Sequence, residues 1–200
     1  MEATRKLIVV EYVSLDGVIQ APGHPGEDQD GGFEHGGWTR PAMAEHPRYV
    51  GNCFRAAGAF LLGRRTYDIW AEYWPNVRDE DNDIARALNT LPKYVPSTTL
   101  KAPTWPGTKV LTGPLDEEVL ALKHAPGRDI YVFGSSTLVP ALMKVDLVDE
   151  YQLWLHPVVL GTGKRLFGEG VPMTSLQLID AEATRGGLVG LTYARPGRDS

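Results

Sequence analysis

Three short stretches of this 200-residue chain combine glycine, hydroxyls and arginine in a way that suits an anion. The first is Gly134-Ser135-Ser136-Thr137, set between Ile130-Tyr131-Val132-Phe133 and Leu138-Val139. The second is Gly63-Arg64-Arg65-Thr66, set between Ala59-Phe60-Leu61-Leu62 and Tyr67. The third is Ser97-Thr98-Thr99, which follows Lys93-Tyr94-Val95. A strand that ends on glycine and enters a helix leaves several backbone N–H groups converging on one point. The helix dipole adds partial positive charge there, so such a point suits a phosphate. Arginine adds a forked, charge-assisted contact. The bland reading is an ordinary strand-to-helix turn, for which glycine and serine are common.

These stretches need strands and helices to aim them. Lys6 to Ser14 is a strong strand signal, apolar and β-branched apart from Glu11, and Leu15-Asp16-Gly17 turns it. Residues 41–57 have helical composition with a break at Pro47, and Gly58 closes that helix. Further helices are expected from Tyr67, over 81–91 and over 115–124. The stretch after Gly134 starts a helix with Thr137 as N-cap, which puts Pro140 in the first turn where it removes no hydrogen bond. Val148 to His156 is a strand, and 175–182 with 188–195 form a closing antiparallel pair. Strands and helices alternate up to about residue 145 and strands dominate later. The pattern is α/β, a mainly parallel sheet with an antiparallel edge. In such a sheet ligands gather where strand ends meet helix starts. Two arginines at a helix start oppose its dipole and need a reason. A ligand with two separated phosphate groups, such as NADP, would use all three stretches.

Composition bounds the alternatives. A hydrophobic content of 42% over 200 residues builds one substantial core, read as a single domain over 1–200. A net charge of −5 argues against nucleic acid as a partner, so an anion site has to be local. Cys53 is the single cysteine, which excludes an internal disulfide and a thiolate metal cluster. With no early apolar leader pattern and no long apolar run, the chain reads as cytoplasmic and without a membrane partner. Residues 21–38 hold six glycines and two prolines, too many for a regular element. They form either a functional loop or a disordered one. Phe33 and Trp38 within it argue for docking, and Trp38 is placed with the substrate.

Taken in order, the chain resembles the dihydrofolate-reductase-like superfamily. LLGRRTY at 61–67 is similar to the cofactor-binding strand–helix turn of dihydrofolate reductases, and VFGSSTL at 132–138 to their pyrophosphate turn. SLDGVI at 14–19, GGF…GGW at 31–38 and PVVLGTGKRLF at 157–167 resemble stand-alone bacterial proteins related to the reductase domain of bifunctional riboflavin-biosynthesis enzymes. The resemblance spans about residues 5–195. It implies a three-layer fold, a mixed, mostly parallel sheet of about eight strands with flanking helices, and NADPH as cofactor. It places Gly63, Arg64, Arg65 and Thr66 at the adenosine-side phosphates and Ser97 and Thr98 at the 2′-phosphate. It places Phe133, Gly134, Ser135, Ser136 and Thr137 at the pyrophosphate, and Val13 against the nicotinamide. The loop 20–38 becomes a mobile cover. A homodimer is a further expectation.

The implied reaction is hydride transfer to a C=N or C=O bond of a small substrate, pterin- or aminopyrimidine-like. One such substrate is 5-amino-6-(5-phosphoribosylamino)uracil. The proton source is sought at Asp16, just past the first strand, and at Glu45, on the helix facing the expected cleft. Asp16 also fits plain turn chemistry, and Glu45 a solvated helix face. Lys164 and Arg165, after a Gly-Thr-Gly loop, could hold a substrate anion or form a surface contact. The chain departs from the resemblance in three places. Pro96 replaces an ordinary apolar residue, two serines follow the single glycine of the pyrophosphate turn, and GRRTYDIWAEYWP stands where the riboflavin enzymes carry their substrate segment. The deaminase signatures His-x-Glu and Cys-x-x-Cys are missing from the sequence. Two rivals remain. One is a metal hydrolase using His24, His35 and His46, which lack the i, i+4 pairing of a helix-borne zinc site. The other is a nucleotide-binding protein that has lost the chemistry.

Overall fold

Parallel pairing of two apolar runs far apart in sequence sets the centre of the molecule. β1 (Leu7–Ser14) lies between β5 (Ile130–Phe133) and β6 (Glu150–His156), parallel to both. The computed structural model describes residues 4–45, 47–78 and 82–197, without the side chains of 43–50. Five further strands complete one sheet: β2 (Ala59–Leu61), β3 (Lys93–Pro96), β4 (Thr108–Leu111), β7 (Gln177–Ala183) and β8 (Val189–Ala194). The spatial order is β4-β3-β2-β5-β1-β6-β8-β7. β8 runs antiparallel to both its neighbours, and the other pairs are parallel. This is the mainly parallel sheet with an antiparallel edge expected from the alternating pattern, with the eight strands that the resemblance implies.

Helices cover both faces because β1 alternates between two apolar sets. Leu7, Val9 and Val13 pack with Val119 of α4 (Leu115–His124) and Val139 and Leu142 of α5 (Leu138–Lys144). Ile8 and Val10 pack with Phe54 of α1 (Pro47–Ala56), Tyr67 of α2 (Arg64–Tyr73) and Leu88 of α3 (Asp83–Thr90). Each large side chain buried this way contributes roughly 1.5–3 kcal/mol. The break read at Pro47 is real: a 3-10 turn spans Arg40–Glu45, and α1 starts at Pro47, where the missing N–H costs nothing. Asn82 caps α3 by accepting the Ile84 and Ala85 amides at 3.1 Å.

One feature of the pairing positions the site. β1 pairs with β5 only as far as Val10–Phe133, yet with β6 as far as Ser14–His156. From Glu11 onward β1 therefore has no β5 beside it, and the sheet opens into a fork.

Candidate active site

Three turns meet beside that fork because β3, β2 and β5 are neighbours and all run the same way. The β5–α5 turn carries two consecutive left-handed residues, Gly134 at φ 58° and Ser135 at φ 76°. A serine is held in that conformation only by strong local bonding. The Ser135 hydroxyl supplies it: Oγ accepts the Gly63 N–H at 2.8 Å, donates to Phe133 O at 3.0 Å and lies 3.1 Å from Thr66 Oγ1. The expectation for Ser135 changes accordingly. Its hydroxyl clips the two glycine turns together and is spent on that, which leaves Ser136 and Thr137 as the hydroxyls of this turn free to face an anion.

Arg64 reaches the third stretch. Its guanidinium donates to Thr99 Oγ1 at 3.0 Å and pairs with Asp68 at 2.9 Å. Ser97 Oγ accepts the Thr99 and Leu100 amides, so the loop after β3 is locally braced next to Arg64. Ser97 and Thr98 do not line the cavity described below; the contact to Arg64 is made by Thr99.

Arg65 and Lys164 share a different pair of partners. Arg65 lies 2.9 Å from Asp28 and 2.5 Å from Asp30, and Lys164 Nζ lies 2.7 Å and 2.8 Å from the same two carboxylates. Hydrogen bonding to Lys164, and then to Arg65, holds the Asp30 carboxyl below its ordinary range. Two arginines at the start of α2 thus find their reason in acidic neighbours, among them a loop thirty-five residues away.

That loop, 21–38, is a packed structure. Gln20 Nε2 donates to the Asp28 and Asp30 carbonyls, Trp38 Nε1 donates to Gln20 O at 2.8 Å, and Phe33 is buried with Val18 and Ala21. Trp38 stands edge-on to His156 with ring centroids 5.2 Å apart and does not line the cavity, contrary to its expected place with the substrate.

Together these elements enclose a cavity of about 970 Å³. Gly63, Arg64, Arg65, Thr66, Phe133, Gly134, Ser135, Ser136, Thr137 and Lys164 line it as expected, joined by an apolar wall of Phe54, Ile69, Trp70, Trp74 and Ile84. Its size matches the upper range of small-molecule sites. β1 contributes Val10, Glu11 and Tyr12 to it, whereas Val13 is turned into the core. Val13, expected against the nicotinamide, is not among the lining residues.

Of the two expected acids, Asp16 is placed elsewhere. Asp16 Oδ1 accepts from Ser14 Oγ at 2.7 Å and the Leu160 amide at 3.1 Å, and Oδ2 accepts the Gly161 amide at 2.8 Å. The Ser14 bond first, then the Leu160 amide, hold its carboxyl at about 2, so it has no proton to give near neutrality. Asp16 is a turn-locking residue, and Arg165 completes the lock by donating to its carbonyl at 2.8 Å. Arg165 does not line the cavity. Glu45 ends the 3-10 turn, and its side chain is outside the described residues; so is His46, one of the three histidines of the metal reading. Among the described residues, no group of three His, Cys, Asp or Glu side chains is placed to hold a metal ion. No helix of the described residues is long and apolar enough to cross a membrane.

The acid that the sequence did not single out is Glu11. It is 3% exposed and lines the cavity near the Gly134 backbone N–H, and its Oε1 has no hydrogen-bond partner among the described residues. Burial, with help from the Glu27 charge and against the Gly134 bond, pushes its carboxyl well above the ordinary range. The signal was a glutamate interrupting an otherwise apolar strand.

Residues 5–189 match the family described as the RibD C-terminal domain. The chain is 30% identical to the uncharacterized protein YyaP of Bacillus subtilis (strain 168), over 94% of each chain. A crystal structure from Shewanella sp. PV-4, described as a candidate riboflavin biosynthesis protein, superposes with a TM-score of 0.67 at 22% identity, over 95% of this chain and 98% of that one. The Thermotoga maritima diaminohydroxyphosphoribosylaminopyrimidine deaminase/5-amino-6-(5-phosphoribosylamino)uracil reductase superposes with a TM-score of 0.62 at 10% identity, over 96% of this chain and 57% of that one. The paired glycine turns, the eight-strand order and the match over 5–189 lead to one assignment: this chain belongs to the RibD C-terminal domain family.

Proposed function

We propose that the protein is an NADPH-dependent reductase that delivers a hydride to a C=N or C=O bond of a small pterin- or aminopyrimidine-like molecule. The observation that carries this reading is the opening of the two clipped glycine turns onto one cavity with a polar rim and an apolar far wall. Ser136 and Thr137 would hold the pyrophosphate, and Arg64, Arg65 and Thr66 the adenosine-side phosphates. Thr99 beside Arg64 would complete the 2′-phosphate end, with Ser97 bracing it. When bound, NADPH supplies the hydride; the chain supplies orientation and electrostatics. The fork beyond Val10 and Phe133 gives a flat ring a slot between strands, and the apolar wall with loop 21–38 excludes water from it.

Membership in a family named for the reductase half of a riboflavin enzyme supports the reaction type. The acceptor class rests on that likeness, and 5-amino-6-(5-phosphoribosylamino)uracil belongs among the acceptors to be tried. A cytoplasmic location fits the lone free thiol, Cys53. A homodimer fits the outermost strand β7, whose Leu178 and Ile179 are half-exposed; sedimentation velocity checks it.

The test is a titration with NADPH read by nicotinamide fluorescence, followed by turnover over pterins, aminopyrimidines and carbonyls. Saturable binding, tighter than for NADH, with oxidation of NADPH by one acceptor is the expected result. Tight binding with no turnover over the whole panel moves the assignment to a nucleotide-binding protein without chemistry. No binding ends the reductase reading.

A further inference from the structure

An acid is costly inside a β-strand, and β1 carries one at a single place. Leu7, Ile8, Val9 and Val10 lead into Glu11, which shares a face with Leu7, Val9 and Val13. Putting a carboxyl there costs several kcal/mol if it is ionised, so it keeps its proton or finds a partner. Its partnering is incomplete: the Gly134 N–H is near enough to favour the charged form, and Oε1 has no hydrogen-bond partner among the described residues. Position explains why such a group is tolerated. Glu11 is the first residue of β1 beyond the point where β5 ends, so it lies at the fork and is one of the residues that line the cavity.

The other acids lining that cavity are already committed. Glu27 accepts the Gly23 and His24 amides at 2.7 Å and 3.2 Å. Asp28 and Asp30 pair with Arg65 and Lys164, Asp68 pairs with Arg64, and Asp83 pairs with Arg55 and Arg86. Each is an acceptor in a bond that needs it ionised or occupied. Among these lining residues, Glu11 alone carries a buried carboxyl oxygen with no hydrogen-bond partner among the described residues.

We propose that Glu11 is the proton-delivering catalytic residue of this cleft, a carboxylic acid at the fork of β1 and β5 that protonates the nitrogen or oxygen of the bond being reduced. The proposal rests on the reductase reading above. The carbon of the C=N or C=O bond gains the hydride from NADPH, and its heteroatom gains the Glu11 proton. The products are the C–H and N–H or O–H bonds, NADP⁺ and a Glu11 carboxylate. Solvent returns the proton once the product has left. A neutral carboxyl at this position also puts no charge next to the phosphates of an anionic cofactor, which an ionised one would repel. Burial favours the protonated form, the Glu27 charge adds to this, and the Gly134 N–H opposes it. The remaining charged groups on the cavity wall face one another in ion pairs.

Infrared difference spectroscopy of wild type against Glu11→Gln at neutral pH, with and without NADPH, tests the proposal without needing an acceptor. The expected result is a protonated-carboxyl C=O band, absent in Glu11→Gln, that shifts when NADPH is added. With an acceptor, Glu11→Gln should slow hydride transfer by about 10²–10⁴-fold. Its NADPH dissociation constant should stay within about twofold of wild type. The alkaline fall of kcat, set by loss of the Glu11 proton, should disappear in the variant. Carbon-13 labelling of glutamate in wild type gives the band without a substitution, should the variant fold poorly. A carboxylate band alone, a band blind to NADPH, or a variant with wild-type rate and pH profile overturns the proposal. If NADPH does not bind wild type, the reductase reading fails and this proposal with it; if NADPH binds and turns over but Glu11→Gln behaves as wild type, this proposal alone fails.

Discussion

Ser135 and Gly63, seventy-two residues apart, are joined by a 2.8 Å hydrogen bond from the Gly63 N–H to the Ser135 Oγ. A Cβ on Gly63 would lie 2.8 Å from that same oxygen. The two glycine turns are thereby locked at one spacing. Ser135→Ala leaves the buried Gly63 N–H unpaired and should cost about 1–3 kcal/mol of stability. Ser135→Gly loses the same bond but relieves the left-handed backbone, recovering about 1 kcal/mol. Urea denaturation should therefore rank wild type above Ser135→Gly, and Ser135→Gly above Ser135→Ala. Equal losses for the two variants would show that the φ of 76° carries no strain.

Asp28 and Asp30 occupy the cations that an anionic ligand would want. Asp30 is the more accessible of the two and bonds to both Arg65 and Lys164. Asp30→Asn should weaken its hold on both and raise NADPH affinity by about fivefold at low ionic strength, the scale of one exposed ion pair. The gain should shrink as salt screens the contest. Arg65→Gln should lower the affinity. Fluorescence titrations at two salt concentrations read both; a weaker-binding Asp30→Asn would show that the loop has to be pinned for the cofactor to bind.

Asp16 sets an acid limit on the turn after β1. Its carboxyl sits at about 2 in the folded chain, because of the Ser14 hydroxyl first and the Leu160 amide second. Unfolded, it sits at about 3.9. The folded state holds fewer protons between those values, so the stabilisation is full above about 4 and fades as pH falls towards about 2. Thermal unfolding of wild type and Asp16→Asn between pH 2 and 6 should show the wild-type advantage closing over that window.

Lys93 gives a second window, in the alkaline range, in which the folded chain again holds fewer protons than the unfolded one. It is fully buried, donates to the Leu88 and Leu91 carbonyls at 2.5 Å and 2.9 Å, and lies 4.7 Å from the centre of the Trp105 ring. Desolvation lowers its amine to about 8. Unfolded, it titrates at about 10.4. Between these values the unfolded chain holds the extra proton, so stability rises with pH there. Wild type should gain on Lys93→Met as pH goes from 8 to 10. A flat difference would show that the carbonyl bonds and the ring fully compensate the buried charge.

Local chemistry was enough to read the strand–glycine–helix turns, the order of strands and helices, the break at Pro47 and the parallel sheet with its antiparallel edge. Each follows from a period, a missing N–H or a glycine, and those act within a few residues of themselves. Sequence order does not say which strands lie side by side, nor where one outruns another, so β1 parting from β5 after Val10 was invisible. That fork turns Glu11 from an interruption in an apolar run into an acid on the cavity wall, and leaves Val13 in the core. The turn role of Asp16 was legible in its Asp-Gly pair, whereas the fates of Arg65 and Lys164 were hidden. The partners of Arg65 and Lys164 lie 35 to 136 residues away in sequence, and a charge is spent or spared according to what folding brings within hydrogen-bond reach of it.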